Sequence, residues 1–315
     1  MAFVRVPGNP EPAGAEELWF EGRGGLRIRA LWAPAAGRTP RGSVILCDGR
    51  TEFIEKYFEL IGELQQRGFC VFLTDWRGQG LSDRLLPDRL KGHLESLDDA
   101  VSDLAAGLKL AADKLPRPHI LLAHSMGGAI SLRALQTRRV DVEAALFSAP
   151  MWGLKEMKPW QRRAAQFITT IGLGALFAAG VDKKWKKEPF KKNPVTGDRE
   201  RHARNQALIM AEPDLALAGV TYGWLDASAT AMEGFQQPGA LAHLRFPITV
   251  MSGGAEEIVS NEAHALIANL LPQATHEIIE GSKHEIFQET DDKRAYALAA
   301  FDTLAASVAP QRAMA

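Results

Sequence analysis

The chain has 315 residues, 46% of them hydrophobic and 24% charged, with a formal net charge of −1. This is the make-up of an ordinary globular chain, long enough for one α/β domain plus an insertion, and it excludes a protein built as a whole to bind nucleic acid. The average hides an asymmetry: residues 151–204 carry 13 Lys/Arg against 5 Asp/Glu, net +8, leaving −9 for the remainder.

The start, Met1 to Pro7, has no long apolar core and no cleavage-site pattern, so no secretory leader is read there and a cytoplasmic location is expected. Cys47 and Cys70 each lie in an apolar run and read as reduced, buried small hydrophobes. Leu18–Phe20 and Leu26–Trp32, joined by Gly22-Arg23-Gly24-Gly25, read as a hairpin whose second strand alternates, with its arginines facing water. Pro34 to Gly42 reads as a polar loop.

Val44–Cys47 is a buried strand running into Asp48-Gly49-Arg50-Thr51-Glu52, where the glycine allows close approach of a ligand. Phe53 to Gln66 reads as a helix closed by Gly68. Phe69–Thr74 is the next buried strand, followed by the glycine-hinged loop Asp75 to Asp83, in which Asp75 and Arg77 are expected to pair. Ser96-Leu97-Asp98-Asp99 opens a helix with apolar residues at Val101, Leu104, Ala105, Leu108 and Ala112, ending before Pro116.

Ile120–Leu122 is a short apolar strand, and it is followed by Ala123-His124-Ser125-Met126-Gly127-Gly128 and a helix through Leu135. A serine between strand and helix, with small residues two before and two after, fits the strained nucleophile elbow, Gly-x-Ser-x-Gly, with Ala123 in place of the first glycine. Glu143 to Pro150 is a further strand, so the pattern so far predicts a parallel sheet with right-handed crossovers.

Residues 151 to 240 break that rhythm. They hold Trp152, Trp160, Trp185 and Trp224, the run Lys183-Lys184-Trp185-Lys186-Lys187, and 18 uncharged residues between Arg163 and Asp182. The alternation resumes with Ile248–Met251, a helix near 261–270, the strand Thr275–Ile279 and a last helix near 291–307. The expected division is a core of residues 1–150 and 241–315 with a helical cap, 151–240, inserted above the sheet.

A serine nucleophile needs a base, and the base needs a group to orient it, each on a loop after a strand. Two late loops qualify. One carries Glu256 and Glu257, and the other, Glu280 to Ile286, carries His284. The order Ser125, acid, His284 is that of the elbow-type hydrolases.

Four motifs then carry a resemblance: Asp48-Gly49-Arg50-Thr51-Glu52 with Lys56-Tyr57, Asp75-Trp76-Arg77-Gly78-Gln79-Gly80-Leu81-Ser82, His124-Ser125-Met126-Gly127-Gly128, and Gly281-Ser282-Lys283-His284-Glu285. Over residues 40–150 and 240–305 the chain resembles the α/β-hydrolases of the monoacylglycerol lipase and lysophospholipase L2 type, the serine aminopeptidase S33 or Hydrolase_4 group. The resemblance implies an α/β-hydrolase fold: a mostly parallel sheet with an N-terminal antiparallel hairpin, helices on both faces, and a helical cap. It further implies Ser125 as nucleophile, His284 as base, the Arg50 and Met126 N–H groups as oxyanion hole, and Glu256 at the place of the family's aspartate, with Glu257 its competitor. The family's His-Gly in the first loop is Asp48-Gly49 here.

The expected activity is hydrolysis of single-chain lipid esters, lysophospholipid or monoacylglycerol, with no metal or organic cofactor. The alternatives are a carboxylesterase or peptidase acting on small soluble substrates and a catalytically silent binding protein. Phe167, Ile168, Ile171, Leu173, Leu176 and Phe177 are expected either to line an acyl tunnel or to pack as an ordinary buried cap helix. The lysines around Trp185, beside the apolar run, suggest peripheral contact with an anionic membrane at its inner face.

Overall fold

The computed structural model of the chain describes residues 3–37 and 39–309. Met1 and Ala2 of the segment read for a leader, Arg38 of the Pro34–Gly42 loop and residues 310–315 at the end of the expected core lie outside them. Eight strands form one sheet: β1 (Glu16–Glu21), β2 (Arg27–Ala33), β3 (Gly42–Cys47), β4 (Phe69–Thr74), β5 (His119–His124), β6 (Ala144–Ser148), β7 (Ile248–Gly253) and β8 (Ala274–Ile279). Their order is β1-β2-β4-β3-β5-β6-β7-β8. β1 and β2 pair antiparallel, β2 pairs antiparallel with β4, and every later pair is parallel. β3, β4 and β7 are buried at every position, which explains the apolar runs Val44–Cys47 and Phe69–Leu73 in the first two.

The α-helices are α1 (Phe58–Gln66), α2 (Leu97–Leu110), α3 (Ser125–Gln136), α4 (Pro159–Thr170), α5 (Arg199–Ala211), α6 (Tyr222–Phe235), α7 (Asn261–Leu270) and α8 (Asp291–Val308). A turn of 3₁₀ helix, Ile54–Tyr57, precedes α1, where the sequence suggested one continuous helix from Phe53. Helices cover both faces of the sheet. Phe69 of β4 meets Phe301 of α8 edge-on, with ring centroids 5.7 Å apart. Phe72 and Cys70, of opposite parity, pack instead with Ala111 and Leu115 just beyond α2. Cys47 and Cys70 are buried free thiols.

Two side chains of the first strands and loops depart from expectation. Arg27 is exposed, but Arg29 is fully buried rather than turned to water. β2 lies inside the sheet between β1 and β4, and the turn after β3 and the loop after β4 bring Glu55 and Asp75 over the face that carries Arg29. The Arg29 guanidinium is held by Glu17 at 2.8 Å, Glu55 at 2.5 Å and Asp75 at 3.3 Å. Asp75 is thereby taken from Arg77, which pairs with Asp103 of α2 at 2.6 Å. Asp75 still braces its loop by accepting the Ile54 and Leu81 N–H groups, each at 2.9 Å.

The segment between β6 and β7 holds α4, α5 and α6. α6 packs on α3 and α2, and α4 packs on α6 through Arg162, which reaches Asp226 at 2.6 Å and Glu233 at 2.9 Å. The uncharged run after Arg163 is interrupted when α4 ends and Gly172 takes a φ of 82°. Among the described residues no helix is long and apolar enough to cross a membrane.

Candidate active site

The parallel register assembles the site. Cys47 stands opposite Ala123 and His124 opposite Ser148, so the Asp48–Glu52 loop and the residues after β6 flank Ser125 at the carboxyl ends of the central strands. Ser125 is the first residue of α3 and has a φ of 49°. A non-glycine residue in the left-handed region costs roughly 1–2 kcal/mol, a strain that the packed elbow has to absorb. Gly127 permits the close packing: a Cβ there would lie 2.3 Å from the Asp48 carbonyl and 2.4 Å from that of Cys47.

Ser125 Oγ lies 2.8 Å from His284 Nε2, and His284 Nδ1 lies 2.8 Å from Glu256 Oε2. All three residues are buried, His284 to 4% exposure and Glu256 to 5%. Glu256 Oε1 accepts the N–H groups of Ile258 at 2.7 Å and Val259 at 3.3 Å, which anchors the carboxylate to its own loop. Burial raises the Glu256 pKa, but the hydrogen bond and charge of His284 and these two N–H groups outweigh it, so the carboxyl titrates below its usual range. Glu257, next along, is exposed. The structure thus brings Ser125, His284 and Glu256 into one hydrogen-bonded chain and leaves Glu257 out of it.

Among the described residues the Arg50 and Met126 N–H groups find no protein acceptor. Met126 stands in the first turn of α3, where the positive end of the helix dipole lies beside Ser125. Behind this loop sits a cluster that sequence reasoning missed. Glu52 accepts from Gly49 N–H, from Tyr57 Oη at 2.7 Å and from Lys56 Nζ at 2.6 Å, and Lys56 also holds Glu285 at 2.6 Å. Burial raises the Glu52 pKa, but Lys56 and the Tyr57 hydroxyl outweigh it and bring it to about 2. Only the i,i+4 spacing of Glu52 and Lys56 hinted at this, because Glu285 arrives from the far end of the chain.

His124 donates Nδ1–H to the Ser148 carbonyl at 3.0 Å, and its ring lies 4.7 Å from that of His284. Burial brings its pKa down to about 4, so it is neutral at pH 7. Asp48 is fully buried, and neither carboxylate oxygen has a partner among the described residues. Burial, compounded by the charges of Glu52 and Asp75, pushes its pKa well up, which favours a neutral acid beside the oxyanion loop.

A cavity of about 200 Å³ opens over Ser125. Met151, Leu154, Val195, Val220 and Trp224 of the inserted segment close it against Arg50, His124 and His284. Trp224 Nε1 lies 3.4 Å from Met126 Sδ. The residues expected to line an acyl tunnel are elsewhere: Phe167, Ile171 and Leu176 are 64%, 53% and 49% exposed and are absent from the cavity wall. For Phe167 the reason is helical phase, and Ile171 and Leu176 lie past the end of α4. α4 buries only Ala165, and Phe167, two residues on, points to the opposite side.

With this geometry in place, residues 38–291 match the family model described as Hydrolase_4, serine aminopeptidase, S33. The chain belongs to this family. It is similar to a protein named lysophospholipase L2 from Escherichia coli (strain K12), 33% identical over 272 residues that cover 81% of this chain and 77% of that one. It is also similar to a monoacylglycerol lipase from Mycolicibacterium smegmatis, 27% identical, with 87% of this chain and 91% of that one covered. Among solved structures, a soluble variant of the Saccharomyces cerevisiae monoglyceride lipase in complex with a substrate analog superposes with a TM-score of 0.72 at 18% identity, covering 92% of this chain and 95% of that one. A thermostable carboxyl esterase from Bacillus coagulans superposes with a TM-score of 0.75 at 17% identity, covering 93% and 98%. These likenesses establish the α/β-hydrolase fold, a mostly parallel sheet with an antiparallel N-terminal pair.

Proposed function

We propose that the protein is a serine hydrolase that cleaves carboxylic esters of single-chain lipids, lysophospholipid or monoacylglycerol, through an acyl-enzyme. The observation that carries this reading is the chain Glu256–His284–Ser125, each link 2.8 Å, at the floor of a cavity covered by the inserted segment. The relatives named lysophospholipase L2 and monoacylglycerol lipase support the lipid ester as substrate.

In this reading His284 takes the Ser125 proton as the hydroxyl attacks the ester carbonyl. Glu256 holds the ring in the tautomer with Nδ1 protonated and stabilises the imidazolium. The oxyanion lies between the Arg50 and Met126 N–H groups, each worth about 3–4 kcal/mol of barrier. The alcohol leaves with a proton from His284, and water repeats the sequence on the acyl-enzyme. We take residues 151–240 as a cap, with Trp224 and Val220 as its contribution to the cavity.

The exposed Trp160, Phe167, Ile171 and Leu176, together with Lys183, Lys184, Lys186 and Lys187, favour a peripheral seat on anionic lipid. Phe167, Ile171 and Leu176 then serve as membrane-facing rather than tunnel-lining residues.

One observation favours a second reading. A cavity of about 200 Å³ is below the usual span of ligand sites, roughly 300–1,000 Å³, and suits a small soluble ester unless the cap opens. Hydrolysis of an acyl-length series decides between them: preference rising with chain length supports the lipid reading, and activity confined to acetyl and butyryl esters supports the small-ester reading.

A further inference from the structure

Buried arginines in this chain are matched by acids. Arg29 has Glu17, Glu55 and Asp75; Arg77 has Asp99 and Asp103; Arg294 has Glu59 and Glu63. Arg50 is different. Arg50 lines the cavity over Ser125, where it is the one lysine or arginine among the described lining residues. Nη2 donates to the Ala218 carbonyl, the guanidinium lies 5.7 Å from the Trp224 ring centroid, and Nε is buried without any acceptor. No carboxylate pairs with it among the described residues, and burial lowers its pKa to about 10, leaving it a cation at neutral pH. The position is tightly built: a Cβ on Gly92 would lie 2.9 Å from Nη2 and 3.1 Å from Nε. The carboxylates on the same wall have other partners, since Glu52 and Glu285 share Lys56.

We propose that the Arg50 guanidinium is a phosphate subsite that makes the enzyme prefer lysophospholipid to monoacylglycerol. The inference rests on the lipid-ester reading and deepens it. The same residue would offer its N–H to the oxyanion and its side chain to the headgroup. In a lysophospholipid the phosphate lies a glycerol unit from the ester oxygen, on the order of 6 Å, which a side chain extending from the oxyanion loop spans. With Nη2 given to Ala218 and Nε buried, Nη1 is the guanidinium nitrogen left for a phosphate oxygen, and a neutral glycerol headgroup leaves the charge uncompensated. The competing role is purely structural: Arg50 would tie the loop to Ala218 and Trp224 and contribute nothing to headgroup choice.

The test is a ratio, so a general loss through the oxyanion loop cancels. Wild-type, Arg50→Gln and Arg50→Lys proteins are assayed on palmitoyl lysophosphatidylglycerol and palmitoylglycerol in the same neutral detergent micelles. The expected result is a drop of about 10–100-fold in the kcat/KM ratio of lysophospholipid to monoacylglycerol for Arg50→Gln, and a smaller drop for Arg50→Lys. An unchanged ratio, with both substrates losing equally, overturns the proposal. A second arm uses the wild-type protein alone: glycerol phosphate competes with a nitrophenyl butyrate substrate and glycerol does not. Equal effects of the two compounds overturn the proposal as well. Failure of the lipid-ester reading shows separately, as no turnover of either palmitoyl lipid, and the competition arm then still decides the subsite.

Discussion

Glu256 holds the His284 ring with one carboxylate oxygen and its own loop with the other. Oε2 sits 2.8 Å from Nδ1, while Oε1 accepts the Ile258 and Val259 N–H groups. The extra methylene of glutamate is thus fixed by the backbone rather than left free. Glu256→Gln should lower kcat by about 10⁴-fold, because an amide that donates to His284 favours the wrong tautomer. Glu257→Gln, at an exposed position, should leave turnover within a factor of about two. Steady-state hydrolysis of a nitrophenyl ester by the two variants checks both.

Lys56 is buried between Glu52 and Glu285, 2.6 Å from each. Lys56→Met removes the charge that both acids lean on and should cost about 3–5 kcal/mol, read as a shift of the urea midpoint. Activity should fall as well, since Glu52 also accepts the Gly49 N–H in the loop that carries Arg50. A stability close to wild type would show that the two carboxylates are neutralised in some other way.

Glu59 of α1 joins three basic residues, with Arg201 at 2.6 Å, Arg204 hydrogen-bonded, and Arg294 at 3.4 Å, and so ties the core to α5 of the inserted segment. Burial raises its pKa, but these three arginines outweigh the burial and lower it from 4.5 to about 2. Its folded-state pKa lies below the unfolded one, so its contribution is complete above pH 4.5 and is lost as pH falls through 2. Allowing for solvent screening of a partly exposed carboxylate, Glu59→Gln should cost about 1–2 kcal/mol at pH 7. Denaturation curves of the two proteins should converge on acidification, and a constant gap down to pH 2 would refute the linkage.

The exposed apolar side chains of α4 and the lysines about Trp185 predict salt-sensitive binding to lipid. Each lysine near an anionic surface contributes about 1 kcal/mol, screened beyond a Debye length of about 8 Å at physiological salt. Sedimentation should capture the protein with phosphatidylserine-containing vesicles at low salt and release it at high salt. Replacing Lys183, Lys184, Lys186 and Lys187 with glutamine should abolish capture. Equal binding to neutral vesicles, or none to either, would make the run an ordinary solvated surface.

The parts of the molecule that were legible in the sequence are those governed by local pattern. Unbroken apolar runs marked β3, β4 and β5, and a serine flanked by Ala123 and Gly127 between strand and helix marked the elbow. His284 is named by its place after a late strand, while the other late loop offers Glu256 and Glu257, between which only the family resemblance chooses. What failed depended on contacts far apart in the chain. Strand alternation sends Arg29 to solvent, but the turn after β3 and the loop after β4 place Glu55 and Asp75 on its guanidinium. The expected Asp75–Arg77 pair gave way to partners on β2 and α2 for the same reason. In the inserted segment, composition marks apolar residues but not helical phase, so Phe167, expected to line a tunnel or to pack as a buried helix, points outward instead. The Lys56 cluster joins residues more than 200 positions apart, beyond the reach of any local signal.

The most direct test is fatty-acid release from palmitoyl lysophospholipid by wild-type protein and by Ser125→Ala, run beside a butyryl ester. Wild-type protein should release palmitate with a kcat/KM above that for the butyryl ester. Ser125→Ala, still folded by circular dichroism, should release none from either. Palmitate release that persists in Ser125→Ala, or wild-type activity confined to the butyryl ester, would contradict the proposed function.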